Sequence, residues 1–437
     1  MTGLRIADWR RSAFVLLLAM VAGVALLACS SDDEEATATA TAEGEATATA
    51  TEMAPAALKI GFLADFSGPL GEFGPEIQKG VELAIEHINA AGGVNGQPVT
   101  FVVGDDKTDA TAATEEARRL IEVEGVHAIV GPLASGITIA VSESISGPAG
   151  VIVISPSATS PAVTTANDSD FTFRSTTSDA AQGVVLADLA KADGIEKVGI
   201  LYLDDAYGQG LADAFEGAFG AAGVKKAAFQ DGAASYLAEL QAAAADGAEV
   251  LVAIGYPTQA QIFIREALEN DLFSQFLFVD GTKSEDLIAA VGADALEGMK
   301  GTAPVGGPEN AATQAWDAAF QAKFGALPTR PFVREAYDAV IAIALAAQKA
   351  GSVEGAAIRD ALRDVAGPEG ARFIPGAEGV AAAFNALAMG ADIDFQGAAT
   401  TLDWDENGDV TTGYIGIWQY QGGAIVELET VEFDLSE

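Results

Sequence analysis

The sequence predicts an α/β protein of two domains with mostly parallel sheets, on three observations. Short β-branched or apolar runs alternate along the chain with amphipathic segments, the pattern of crossover units in which helices cover both faces of a parallel sheet. The amphipathic segment after the first such run has a clear helical period, with Ile77, Val81, Ala84, Ile85 and Ile88 on one stripe. Roughly 380 residues follow a low-complexity stretch near the start, more than one hydrophobic core usually serves.

Taken in order, the chain opens on Arg5, Arg10 and Arg11 ahead of an apolar run over residues 13–27. Basic residues, a short apolar run and small residues near its end make an export signal, and the run is too short and wrongly flanked for a membrane span. Arg10 and Arg11 read as a generic basic region, because Ser12, Ala13 and Phe14 fit a twin-arginine signal poorly. The run ends at Leu26, Leu27, Ala28 and Cys29, the one cysteine of 437 residues. This stretch resembles a lipoprotein lipobox, which implies that Cys29 is the lipidated N-terminus once residues 1–28 are removed. From residue 30 to about 57 nearly every residue is Ala, Thr, Glu or Asp, too little apolar surface to offset the entropy of ordering. The segment 29–57 is therefore a tether, and roughly 25 flexible residues reach about 25–30 Å.

The expected strands of the body are 58–64, 99–103, 128–130, 151–154, 198–203, 249–254 and 276–279. The stripe from Ile77 to Ile88 faces the first sheet, and His87, which falls off it, reads as a solvated surface histidine. Glycine adopts the left-handed conformation that closes helices, so the helix ends at Ala91, Gly92 and Gly93, and Val94, Asn95 and Gly96 turn into the next strand.

Charge and motif content exclude several functions. With 23 basic against 63 acidic residues the net charge is −40, a field that repels nucleic acid and anionic headgroups. Attachment to a membrane then falls to the lipid, and one acyl chain binds only marginally, so two or more are expected. No Gly-x-Gly-x-x-Gly follows a strand and no Gly-Lys-Ser/Thr loop occurs. Only His87 and His127 are available to a serine triad, and there is no Gly-x-Ser-x-Gly elbow. His127, at the start of a short strand, reads as a satisfied structural histidine rather than a base. No cofactor is implied, and zinc has no histidine or cysteine cluster to hold it. Asp403, Asp405, Asn407, Gly408 and Asp409 mimic the opening of a calcium loop, but the twelfth position is Tyr414 where a bidentate Glu is needed, so a turn between strands is the better account.

IGFLADFSGP (60–69) followed by GVELAIEHINAAGGVNGQPV (80–99) resembles the branched-chain amino-acid (Leu/Ile/Val) receptor family of ABC importers. VGPLASG (130–136), ISPSATSP (154–161), FRSTTSDAAQG (173–183), LYLDDAYGQGLADAF (201–215) and WDENGDVTTGYIGIWQY (404–420) continue the resemblance in order. It spans about residues 58–430 and is weakest over 352–400. The resemblance implies the type I periplasmic-binding fold, in which two Rossmann-like lobes joined by a three-crossing hinge close on a ligand like a Venus flytrap. It divides the body into an N-terminal lobe of 58–176 plus 305–412 and a C-terminal lobe of 177–304 plus 413–437.

The same resemblance implies the site. Ser135, Ser157 and Thr159 follow strands of the first lobe and match the family's grip on the ligand α-carboxylate, Ser157 acting mainly through its backbone. Hydroxyls and free N–H groups where a Gly/Pro-rich loop opens a helix suit an anion, although Ser135 and Thr159 also suit plain helix caps. Tyr207 and Tyr256 match tyrosines at the ligand. Asp280 stands where amino-acid receptors carry an acid, usually Glu, that accepts the α-ammonium, and Glu285 is an alternative acceptor. Phe73 matches an aromatic at the cleft rim and Phe332 one lining the side-chain pocket; core packing is the other reading of both rings.

The implied function is that of a monomeric, membrane-anchored extracytoplasmic lipoprotein that binds a small polar solute, foremost an amino acid. It passes that solute to ABC permease and ATPase subunits and catalyses nothing. The alternatives are a receptor for an amide, urea-like or other small organic solute, a ligand-sensing subunit without transport, and an enzyme.

Overall fold

The computed structural model describes residues 56–434; the export signal, Cys29 and nearly all of the tether lie outside the described residues. Five parallel strands make the first sheet, namely β1 (Lys59–Ala64), β2 (Thr100–Asp105), β3 (Ala128–Val130), β4 (Ile152–Ser155) and β5 (Thr172–Arg174), in the order β2-β1-β3-β4-β5. β3 and β4 are wholly buried, as apolar strands covered on both faces must be.

The next strands are β6 (Val198–Leu203), β7 (Val224–Phe229), β8 (Val250–Ile254), β9 (Phe276–Phe278) and β10 (Lys300–Val305). A two-stranded ribbon of β11 (Ala371–Phe373) and β12 (Ile393–Phe395) follows, then β13 (Thr412–Gln421) and β14 (Ala424–Asp434). The seven-stranded second sheet runs β14-β13-β10-β9-β8-β6-β7. It is parallel except where β10 meets β13 and β13 meets β14.

These two sheets are the cores of two lobes, and the chain moves between them after β5, after β10 and before β13. After β10 it returns to the first lobe, where the helix Val333–Ala350 packs on β3, β4 and the helix Gly74–Ala90. Among the described residues no single helix is long and apolar enough to cross a membrane.

Gly74–Ala90 buries Ile77, Val81, Ala84, Ile85 and Ile88 as its period predicts. Its end is also as expected: Gly92 and Gly93 take φ of 105° and 78°, and the Gly93 N–H closes on the Ile88 carbonyl at 2.9 Å. His87 departs from expectation. It is 5% exposed, and its Nδ1 lies 2.9 Å from the Tyr337 hydroxyl, which also accepts the Gly376 N–H. One helical stripe accounts for the sheet, but this helix is also covered by Val333–Ala350, so a residue off the stripe is buried as well. His127 accepts the Lys59 N–H through Nδ1 at 3.1 Å, a structural role.

The acidic stretch near the C-terminus is a turn. Trp404 and Val410 form an antiparallel bridge, and the Asp405 carboxylate accepts the Asn407 and Asp409 N–H groups. Among the described residues no cluster of His, Cys, Asp or Glu is arranged to hold a metal. At the edge of the second sheet β14 exposes Glu427, Glu429, Glu432 and Asp434.

Candidate functional site

Parallel strands all direct their carboxyl ends the same way, and the loops leaving those ends from both lobes meet around one cavity. From the first lobe, the loop after β1 supplies Leu70 and Phe73, the loop after β3 supplies Leu133 and Ser135, and the loop after β4 supplies Ser157. From the second, Tyr207 follows β6, Tyr256 follows β8, and Asp280 follows β9. Phe332, at the mouth of the helix Val333–Ala350, completes the wall.

Apart from the alternative acceptor Glu285, which is exposed, only Thr159 of the site residues singled out from the sequence is absent from this lining. Thr159 is fully buried beside the cavity, and its hydroxyl donates to Asp179 Oδ2 at 3.1 Å. Ser135 is the first residue of its helix rather than the cap, and its Oγ accepts the Ser160 N–H at 3.1 Å. Ser157 donates its hydroxyl to the Leu133 carbonyl at 2.9 Å, so its side chain is committed to the loop itself.

The wall from the second lobe is acidic and aromatic. Tyr207 donates to Asp280 Oδ1 at 2.9 Å and accepts the Gly281 N–H, while Gln182 Nε2 donates to the same carboxylate oxygen at 2.8 Å. Tyr256 donates to Asp205 at 3.4 Å, and its ring stacks on Tyr207 with centroids 5.5 Å apart. Burial pushes the Asp280 and Asp205 carboxyls each up to about 6. Asp179 rises too, from burial first and then from the nearby Asp280 charge. Two buried oxygens, Asp179 Oδ1 and Gln182 Oε1, have no hydrogen-bond partner among the described residues. A wall that holds buried carboxyls close together favours a cation between them.

The aromatic residues are held in different ways. Phe332 adopts φ 75°, a left-handed backbone that a bulky side chain rarely takes. Phe73 lies under the Arg330 guanidinium, 5.4 Å from its centroid. Arg330 pairs with Glu72 at 2.9 Å on its own lobe and with Asp286 at 3.3 Å on the other, and Ser284 donates to Glu72 at 2.9 Å. Ser160 Oγ also donates to the Ala206 carbonyl at 2.6 Å, a second contact between the lobes.

Sequence reasoning missed Asp179, Gln182, Leu70, Ile77, Leu133 and the Glu72–Arg330–Asp286 bridge. Asp179 and Gln182 stand three residues apart in the FRSTTSDAAQG segment, so one helical face offered a signal for them. Nothing local marks Arg330.

The periplasmic binding protein family matches residues 57–391. The chain is 30% identical over 364 residues to the chemotactic signal transduction system substrate-binding protein of Halobacterium salinarum, covering 82% of this chain and 85% of that protein. It is 31% identical over 315 residues to the leucine-, isoleucine-, valine-, threonine- and alanine-binding protein of Pseudomonas aeruginosa, covering 71% and 83%. Among solved structures, the branched-chain amino acid transporter substrate binding protein of Streptococcus pneumoniae in complex with isoleucine superposes with a TM-score of 0.69 at 26% identity, covering 86% of this chain and 100% of that one.

Proposed function

Because the chain belongs to the periplasmic binding protein family, we propose that it is the solute receptor of an ABC importer and that its ligand is an amino acid with a branched apolar side chain. One observation carries the ligand class: a single cavity joins hydroxyl-bearing loops of one lobe to the buried acid Asp280 of the other, with apolar walls between them. In this reading Ser135 and the backbone after β4 hold the ligand carboxylate, and Asp280, steadied by Tyr207 and Gln182, accepts its ammonium. Leu70, Phe73, Ile77 and Phe332 pack its side chain, and the Tyr207 and Tyr256 rings line the facing wall. The Thr159 hydroxyl acts through Asp179 rather than by touching ligand. The relatives named for binding leucine, isoleucine and valine support the same class.

Binding draws the lobes together because the two charged ends of one molecule engage opposite lobes, and only contacts made in the closed state shift the hinge. Three or four charge-assisted hydrogen bonds at roughly 1.5–3 kcal/mol each can supply the roughly 8 kcal/mol of a micromolar complex after the cost of closure. The lobes are 58–176 plus 305–412 and 177–304 plus 413–437, the former carrying the carboxylate grip and the latter the ammonium acceptor.

The protein works outside the cytoplasm as a monomer, held to the membrane by lipid on Cys29, and hands its solute to a permease without chemical change. A net charge of −40 supports the exclusion of nucleic acid as a partner. The chemotactic relative supports a second reading, in which the loaded receptor reports to a signalling partner; neighbouring permease and ATPase genes favour transport over it.

Calorimetry of the purified protein with leucine, isoleucine and valine tests the ligand class, beside a thermal-shift screen that includes amides and small carboxylic acids. Ligand at 100 times its Kd adds about 2.7 kcal/mol of stability. A stabilising amide or organic acid with no response to any amino acid refutes the amino-acid reading.

A further inference from the structure

The loop 157–160 between β4 and the first crossing is held from behind by a buried cation. Arg174, the last residue of β5, is 1% exposed. Its Nη1 donates to the carbonyls of Ala158, Thr159 and Ser160 at 3.3, 3.1 and 3.0 Å. Its other face is closed by Asp409, which accepts from Nε at 2.6 Å and Nη2 at 2.7 Å, and by Thr164 Oγ1, which accepts from Nη2 at 2.9 Å. Thr164 in turn donates to Asp409 at 2.6 Å. Every guanidinium nitrogen is used, and the planar fork of arginine is what allows one side to serve three carbonyls while the other meets a carboxylate.

The direction of those carbonyls has a consequence for the cavity. In a trans peptide the C=O of one residue and the N–H of the next point opposite ways. Holding the Thr159 carbonyl therefore turns the Ser160 N–H away from Arg174, and that N–H meets the Oγ of Ser135 on the cavity wall. Holding the Ala158 carbonyl turns the Thr159 N–H the same way, and no acceptor for it exists among the described residues.

Resting on the solute-binding reading above, we propose that Arg174 is a positioning residue for that binding: with the Ala158 N–H held by Ser155 and the Ser160 N–H held by Ser135, its carbonyl clamp aims the remaining N–H of the loop, that of Thr159, at the ligand carboxylate. Asp409, in the turn that leads into the third crossing, fixes the clamp, so the loop that grips the solute is tied to a segment of the hinge through one ion pair.

The test compares wild type with Arg174→Lys and Asp409→Asn by calorimetry, using L-leucine and L-leucinamide, which differ only at the carboxylate. Loss of one charge-assisted hydrogen bond corresponds to about ten-fold or more in Kd. We expect that loss for leucine and a much smaller one for leucinamide in each variant. In a double-mutant cycle with Ser135→Ala the losses are expected to be less than additive, since Arg174 and Ser135 hold the two sides of the same Thr159–Ser160 peptide. Equal losses for the two probes, additive losses in the cycle, or an unchanged leucine Kd in a folded variant overturns the proposal. If Arg174→Lys does not fold, Asp409→Asn, which keeps the arginine and the shape of its partner, decides. Wild type that binds neither probe counts against the solute reading itself, whereas normal wild-type binding with unaffected variants counts against Arg174 alone.

Discussion

Replacing Asp280 with asparagine is expected to move stability and affinity in opposite directions. The carboxyl is 3% exposed, and burial raises its pKa from 3.8 to about 6. A carboxyl whose pKa is raised by folding destabilises the native state as pH climbs from the unfolded value through the folded one, and the penalty is complete above it. From 3.8 to about 6 that penalty is at most about 3 kcal/mol at neutral pH. The substituted amide would carry no charge yet could still accept from Tyr207 and Gln182, so Asp280→Asn is expected to raise the thermal midpoint of the empty protein. The same substitution deletes the charge proposed to meet the ligand ammonium, at about 1.5–3 kcal/mol, or roughly ten- to hundred-fold in Kd. Wild-type affinity is also expected to rise with pH up to about 6 and then level, because below that value binding must expel the proton from Asp280. The asparagine variant flattens that rise, with the residue of it due to Asp179 and Asp205. Differential scanning calorimetry without ligand and titration calorimetry with leucine between about pH 5 and 8 read all three effects. A lowered midpoint together with an unchanged leucine Kd would refute the assignment of Asp280 as a strained, ligand-completed acid.

Other expected outcomes follow from the same geometry. Tyr337→Phe removes the partner of buried His87 and is expected to cost about 1–3 kcal/mol in chemical denaturation while leaving leucine affinity unchanged. Burial lowers the His87 pKa, so the folded state resists its protonation and stability is expected to fall as pH drops below about 6.5; a pH series of thermal midpoints in wild type and His87→Gln reads it, and identical slopes exclude His87 as the source. Arg330→Ala cuts the bridge from Glu72 to Asp286 and, at about 1 kcal/mol for a partly exposed pair, is expected to weaken leucine binding about five-fold, seen as faster dissociation. Thr159→Val leaves Asp179 with neither oxygen bonded to a hydroxyl, and is expected to weaken binding less than Ser135→Ala does in the same titration.

What could be read from the sequence was what local pattern determines. Strands such as Ala128–Val130 and Val250–Ile254 are buried along their length and stand out as apolar runs. By contrast β7 carries Lys225 and Lys226 among its apolar residues at a sheet edge, and β10 contains Gly301 and Pro304, so neither presents such a run. Ser135, Tyr207 and Asp280 were singled out through the family resemblance, and they line the cavity because each follows the carboxyl end of a strand. His87 was misjudged because a single stripe describes a helix with one covered face, and this helix has two. Arg174 and Asp409 were separately visible within familiar segments, but a bond spanning 235 residues of sequence has no local trace. The Glu72–Arg330–Asp286 bridge escaped for the same reason, since its members meet only when the lobes do.

The long outer strand β14 leaves a row of backbone donors and acceptors facing solvent, the kind of border on which a neighbouring copy can zip. Its exposed Glu429 and Glu432 put like charges on both sides of any such seam, so copies crowded on one surface are held apart, and less firmly as salt screens those charges.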